Sequence, residues 1–532
     1  MKHHNAQSAG WANHPDRTTV QVARLARPAL KEVAAVAHEN RTYEVRTYGG
    51  WRRRRGIGLL GMDTTATFVA LGGAMSVILL GAFIPVALLV IGPPLMVAGA
   101  LCMVRVSGVP IGRLALARCR WWWGSMRGRT RYSAGVVVDH PRAFQLPGIL
   151  APLTLLSAED GAGGRYGIVW DRRTGRLTAT LRVVPASTWL ADRTDADTWV
   201  AAWGQWLARL GHLPAVCWVS VTVETAPEPG STLADNVNRS IAPDAPATAK
   251  HILNELVSSA PGAAADVDTR VSITFDPQAF PTSPRDLTMA AAEVGRALDG
   301  LSSALGGCGV SVLGRASAAE IAGTVRTAFD PPARGEVNRL LSRAGDTGEL
   351  LAWSDAGPVH AIEHTGHYEH DGAVSVSWAW QEPPRQNVHS DVLARLVSPG
   401  PFPKRITLQY QALPAAAASR VLQQEVNAAA FRAQFRRRTG RDETARDSWD
   451  TARARQAAAE EAMGAGVCLV SLYATVTVTA PDDLRRAIAH VEAAADTSRI
   501  RLRRLWGSQA AGFATTLPCG ICPPDLSRRA IH

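Results

Sequence analysis

Between Asp63 and Arg105 the chain carries no charged side chain, a 41-residue window (64–104) containing the run FVALGGAMSVILLGAFIPVALLVIGPPLMVAGAL. At about 1.5 Å per residue, one helix of that length would be roughly 60 Å long, about twice the hydrocarbon core of a bilayer. Two helices of about 20 residues fit that thickness, with the break at GAFIP (81–85). The expectation is a transmembrane hairpin with spans 64–80 and 86–104, kinked in its second helix at Pro93 and Pro94. A cleaved export signal fits poorly, because the apolar run is too long for one and no small-residue cleavage site follows it. The bland alternative is a buried helical pair, but so long an uncharged window between basic clusters weighs against it.

Charge sets the expected orientation. Arg52, Arg53, Arg54 and Arg55 precede the window, and Arg105, Arg113, Arg118 and Arg120 follow it without an intervening acid. Arginine-rich flanks stay on the cytoplasmic side. The expectation is therefore a multi-pass protein of the inner membrane with residues 1–55 and 105–532 in the cytoplasm. Trp51, Trp121, Trp122 and Trp123 would suit the headgroup region. Asp63 reads as a helix cap. The formal charge of +11 divides unevenly: residues 1–135 hold 18 basic and 5 acidic side chains (18 − 5 = +13), and residues 136–532 hold 39 and 41 (39 − 41 = −2). A nucleic-acid-binding domain would carry its own basic face. The distribution points instead to membrane lipid as a partner and argues against direct contact with DNA.

The rest divides into two expected α+β units, 145–335 and 350–525, after a flexible segment 1–50 and the arginine-flanked hairpin region 51–135. In the first unit, GRYGIVWDRRTGRLTATLRVVPA alternates around Arg172-Arg173-Thr174-Gly175 and reads as a β-hairpin. A helix follows from Asp195, with Trp199, Trp203, Trp206, Leu207 and Leu210 on one core-facing stripe. The succession of strands and helices predicts split-βαβ-like layers with helices on one face. The second unit repeats the pattern around an Ala/Arg/Glu/Gln-rich stretch, 415–464, broken at Thr439-Gly440 into two helices. This helical arm carries Arg436, Arg437, Arg438, Arg441, Glu443 and Asp447 and is the candidate docking surface, along with the segment after Leu517. The fold class expected is thus a membrane-anchored α+β protein: a two-helix transmembrane hairpin followed by split-βαβ-like cytoplasmic units with an inserted helical arm.

Chemistry is sparse. A phosphate-binding loop of the Walker type needs a Gly-Lys pair, yet the only lysines are Lys2, Lys31, Lys250 and Lys404, and none follows a glycine. No catalytic residue and no cofactor are expected. Cys519-Gly520-Ile521-Cys522 is a lone C-x-x-C, open to redox or metal use, in a seven-cysteine chain with no disulfide framework. In HAIEHTGHYEH, the residues His360, His364 and His370 share parity and could converge on a metal if the segment were one strand.

Taken in order, these elements resemble a known layout. The arginine-flanked apolar hairpin resembles the small VirB-type inner-membrane subunit of conjugation machines. GIVWDRRTGRLTATLRV, TAFDPP, the charged arm and GFATTLPCG resemble the N-terminal, non-motor domain of VirB-type conjugation ATPases. Arginine makes up 53 of the 57 basic residues (57 − 4 lysines), which suits a GC-rich genome, and the whole is similar to actinobacterial conjugative-element membrane proteins. The resemblance implies a non-enzymatic scaffold of a type IV secretion-like DNA-transfer apparatus. Its partners would be a VirB-type ATPase on a separate chain and other channel subunits, in a homo- or hetero-oligomer. A type VII secretion component similar to EccE is the alternative, and a membrane-tethered metal or redox protein is the third reading.

Overall fold

The structure is a computed structural model that describes residues 47–49, isolated positions between 72 and 94, and most of the chain from 105 to 529, with short internal gaps. Thirteen strands form one antiparallel sheet: β1 Arg131–Ser133, β2 Leu153–Glu159, β3 Arg165–Asp171, β4 Leu177–Pro185, β5 Val216–Pro227, β6 Ala265–Phe275, β7 Val310–Arg315, β8 His360–Glu363, β9 Tyr368–His370, β10 Ala373–Glu382, β11 Lys404–Ala412, β12 Cys468–Val478 and β13 Arg501–Arg504. The spatial order is β1-β8-β9-β10-β12-β11-β5-β6-β4-β3-β2, with β13 also on β10 and β7 also on β4. The helices that matter below are α1 Ile111–Met126, α2 Arg193–Leu210, α3 Ala247–Ser259, α4 Leu287–Leu305, α5 Ala318–Phe329, α6 Arg334–Ala344, α7 Ala415–Arg438, α8 Ala445–Ala462, α9 Leu484–Thr497 and α10 Gln509–Thr515.

Two stretches of chain build the centre of this sheet in the same way. The first runs β4-α2-β5-α3-β6-α4-β7, and its strands lie side by side as β7-β4-β6-β5. The second runs β10-β11-α7-α8-β12-α9-β13, and its strands lie as β13-β10-β12-β11. In each, the spatial order is fourth, first, third, second. The halves meet where their second strands, β5 and β11, pair antiparallel with Thr222 opposite Thr407. Equivalent strands joined in this way place an approximate two-fold axis perpendicular to the sheet. Each half also carries its helical insertion at the same point, between its second and third strands: α3 in one, α7 and α8 in the other.

Period-two alternation assigns the faces. Leu177, Ala179, Leu181 and Val183 of β4, with Val271, Ile273 and Phe275 of β6, lie under α2 and α4. Trp206, Leu207 and Leu210 of α2 and Val294, Leu298 and Leu305 of α4 close that layer, and the Trp206 Nε1–H donates to Leu301 O at 3.2 Å. In the second half, Val374, Val376, Trp378, Leu472, Ala474 and Val476 pack under Ala487, Val491 and Ala495 of α9. Each of the buried valines, leucines, isoleucines and phenylalanines among them contributes about 1.5–3 kcal/mol on burial.

The expected fold class is corrected on two points. Among the described residues no helix is long and apolar enough to cross a membrane. The expected spans 64–80 and 86–104 and the cluster Arg52–Arg55 lie outside the described residues, apart from isolated positions. The transmembrane hairpin, the multi-pass assignment and the inner-membrane localisation built on it are therefore replaced by a large antiparallel sheet with helices. Hydropathy registers only that a segment is apolar; it does not show that a spanning helix forms. Secondly, the α+β units are halves of one continuous sheet, because β5 and β11 expose complementary edges that pair along seven residues.

Candidate functional site

The other face of the sheet is buried as well, and it is polar. Directly opposed hydroxyls pair across strands: Thr178 with Thr274 and Thr180 with Ser272, each at 2.9 Å, Ser375 with Thr477 at 2.8 Å and Ser377 with Thr475 at 2.9 Å. The first two lie between the first and third strands of one half and the second two at the equivalent place in the other. Thr222 and Thr407 meet on the axis at 2.9 Å. The sequence does show this signal, as the matched runs LTATLRV and VSVSWAW, but an alternating strand reads as half-solvated until something is found to cover its polar side.

What covers it is α5 and the segment 509–522. Phe513, Leu517, Cys519, Ile521 and Cys522 are buried. Gly520 adopts φ +67°, and a Cβ there would overlap Thr178 Oγ1 and lie 3.0 Å from Thr274 Oγ1. The Gln409 side-chain amide donates to Ile521 O at 2.9 Å, and Arg405 Nε donates to Thr516 Oγ1 at 3.2 Å. The strap thus touches β4 and β6 of one half and β11 of the other, spanning their junction. Of the two surfaces expected to dock a partner, the run 517–522 is interior.

Beside the strap lies a buried ionic cluster. Glu224 accepts from both Arg270 and Arg334. Arg270 also bonds Asp268 at 2.6 Å, and Arg334 of α6 bonds Asp266 at 3.0 Å. Burial alone would raise the Glu224 pKa, but the guanidinium groups of Arg270, Arg334 and Arg405 more than offset this and hold it below the usual carboxylate range. Arg405 is pushed down to about 10 by burial and stacks over Phe513 at 4.8 Å. Three arginines face three carboxylates, so the cluster is charge-balanced. Removing one partner of such a buried set typically costs on the order of 3–5 kcal/mol, which makes it a fastening between β5, β6 and α6.

The sequence-selected histidines separate. A turn at Thr365-Gly366 folds the segment into the β8–β9 hairpin, with Ala361 opposite His370, Ile362 opposite Glu369 and Glu363 opposite Tyr368. Parity therefore switches across the turn. His370 faces the core, fully buried among Phe329, Tyr368 and Phe513. His360 and His364 face outward, where His364 meets His367 and Glu369. His360 lies 3.5 Å from Ser133 Oγ. His370 is fixed in one tautomer: its Nδ1–H donates to Phe329 O at 2.5 Å, and Nε2 accepts from Ser375 Oγ at 2.8 Å. Cys519 has its thiol pushed up to about 12 by burial, against the pull of Arg270. That is opposite to the low value a reactive thiolate needs.

Arg105 begins a two-residue strand, and Arg113, Arg118 and Arg120 belong to α1. That helix exposes Leu116, Trp122, Trp123 and Met126. Arg436, Arg437 and Arg438 end α7, Asp447 lies in the first turn of α8, and Arg441 and Glu443 fall outside the described residues. No protein-family model and no curated protein matches this chain.

Proposed function

We propose that the chain is a non-enzymatic scaffold of a type IV secretion-like conjugative DNA-transfer apparatus, docking a separate VirB-type ATPase to other channel subunits. The observation that carries this reading is the arm. Helices α7 and α8 leave the sheet between β11 and β12 and pack chiefly on each other. Ala418 and Leu422 are buried near the base, and Ala428, Ala429 and Ala454 are buried further along. The platform beneath is fastened by hydroxyl rungs, an ionic cluster and a strap, so it can hold the arm in a fixed direction. The sequence of the arm's tip mixes arginine with acidic residues, which suits a specific, salt-sensitive contact.

Deleting residues 425–460 removes the distal part of α7 and all but the last two residues of α8 together, so that the two faces packed on each other go at once, while residues 415–424 with buried Ala418 and Leu422 stay at the base. The deleted chain should keep its thermal midpoint and far-UV spectrum while losing ATPase copurification and plasmid transfer. Undiminished transfer by a stably expressed deletion would end the docking role of the arm.

A further inference from the structure

The outward face of the β8–β9 hairpin gathers three metal-ligating groups that are close in space through the hairpin fold. His364 and His367 flank the Thr365-Gly366 turn, where the His364 N–H donates to His367 O at 3.0 Å. Their rings are stacked with centroids 4.3 Å apart. Glu369 lies two residues beyond His367 on the same strand face, and its carboxylate is 3.1 Å from His364 Nε2. One donor atom from each of the three falls within 4.8 Å of the others. A tetrahedral ion bound at about 2.0–2.1 Å holds its ligand atoms about 3.3 Å apart, so the His364–Glu369 pair at 3.1 Å already has that spacing and a donor atom of His367 lies within 4.8 Å of both.

We propose that His364, His367 and Glu369 form a binding site for a divalent transition metal of the zinc class. Two neutral imidazoles and one carboxylate are a donor set that suits Zn²⁺ and Co²⁺. Three protein ligands leave a coordination position open, and His364 and Glu369 are each more than two-fifths exposed, so that position faces solvent. The base of the site is firm: Arg504 Nε donates to Gly366 O at 2.8 Å, the Gly507 N–H donates to Thr365 O at 2.7 Å, and the Arg504 guanidinium stacks over Trp506 at 4.8 Å. Burial first, then His364 and Arg504, lower the His367 pKa against the opposing pull of Glu369, which favours the neutral imidazole that a metal takes. The same Arg504 charge opposes an incoming cation, and Glu369 is the carboxylate that offsets it.

The test uses the full chain, stripped with a chelator and titrated with Co²⁺ under visible absorption, with Zn²⁺ as competitor. The expected result is saturable binding of one Co²⁺ with the intense d–d bands of a four-coordinate ion, displaced by Zn²⁺. His364→Ala and His367→Ala should each weaken binding at least tenfold, and Glu369→Gln should weaken it less. His360→Ala, on the same hairpin face, and a His3→Ala/His4→Ala double variant, at the other histidine pair in the sequence, should bind as the parent does. The metal-free thermal midpoint confirms folding of each variant. Unchanged affinity and spectrum in both His364→Ala and His367→Ala would overturn the proposal, as would the absence of saturable binding by the parent chain.

Discussion

Acid should loosen this protein through one buried imidazole. Burial pushes His370 down to about 3 from 6.5, outweighing the favourable hydrogen bond from its Nδ1–H to Phe329 O. The unfolded chain therefore takes up a proton that the folded one refuses, and stability present above about pH 6.5 is lost as pH falls toward 3. With those two values, linkage gives a loss of about 2 kcal/mol between about pH 7 and pH 5. His370→Asn retains a donor near the position of Nδ1 but has nothing to titrate. It removes the Nε2 acceptor, leaving Ser375 Oγ–H to turn to Thr477 Oγ1 at 2.8 Å, at a cost of about 0.5–1.5 kcal/mol, so the variant should be weaker at neutral pH. Its pH dependence is the discriminating quantity. Urea unfolding followed by tryptophan fluorescence at both pH values should show the variant losing about 2 kcal/mol less than the parent on acidification. Equal losses in the two proteins would refute the argument, because the other histidines titrate in both.

The strap and its cysteine give further tests. Gly520→Ala combines a positive φ with overlap onto Thr178 and should cost at least about 3 kcal/mol. Gly175→Ala, at φ +73° with open space around it, should cost about 1 kcal/mol in the same denaturation assay. Alkylation of the native protein at mildly alkaline pH should label exposed Cys119 and spare buried Cys519 until the chain unfolds; mass spectrometry locates the label, and rapid native labelling of Cys519 would contradict the interior placement of the strap.

The local elements were legible because their signals are local. The hairpin of β3 and β4 follows from alternation around Arg172-Arg173-Thr174-Gly175, and the α2 stripe that buries Trp206, Leu207 and Leu210 follows from helical spacing. The two helices of the arm, interrupted near Gly440, follow from composition and a breaker. Metal-site parity failed for an equally local reason: a two-residue turn reverses the chain and exchanges which residues share a face, so His364 joins His367 and Glu369 while His370 goes to the core. The apolar window 64–104 constrained the reading most, yet apart from isolated positions it lies outside the described residues, among which no helix is long and apolar enough to cross a membrane.

The sequence by itself determined the β3–β4 hairpin, the core-facing stripe of α2, the two helices of the arm, and how far the positive charge is confined to the first 135 residues. Only the tertiary structure decided that the two halves join through β5 and β11 into one sheet. It alone also decided that the polar side of that sheet is interior. A threonine at position 178 looks the same whether its hydroxyl meets water or Thr274. The difference lies in residues more than 300 positions away, where Gly520 has no side chain and so allows the strap to lie directly on the strands.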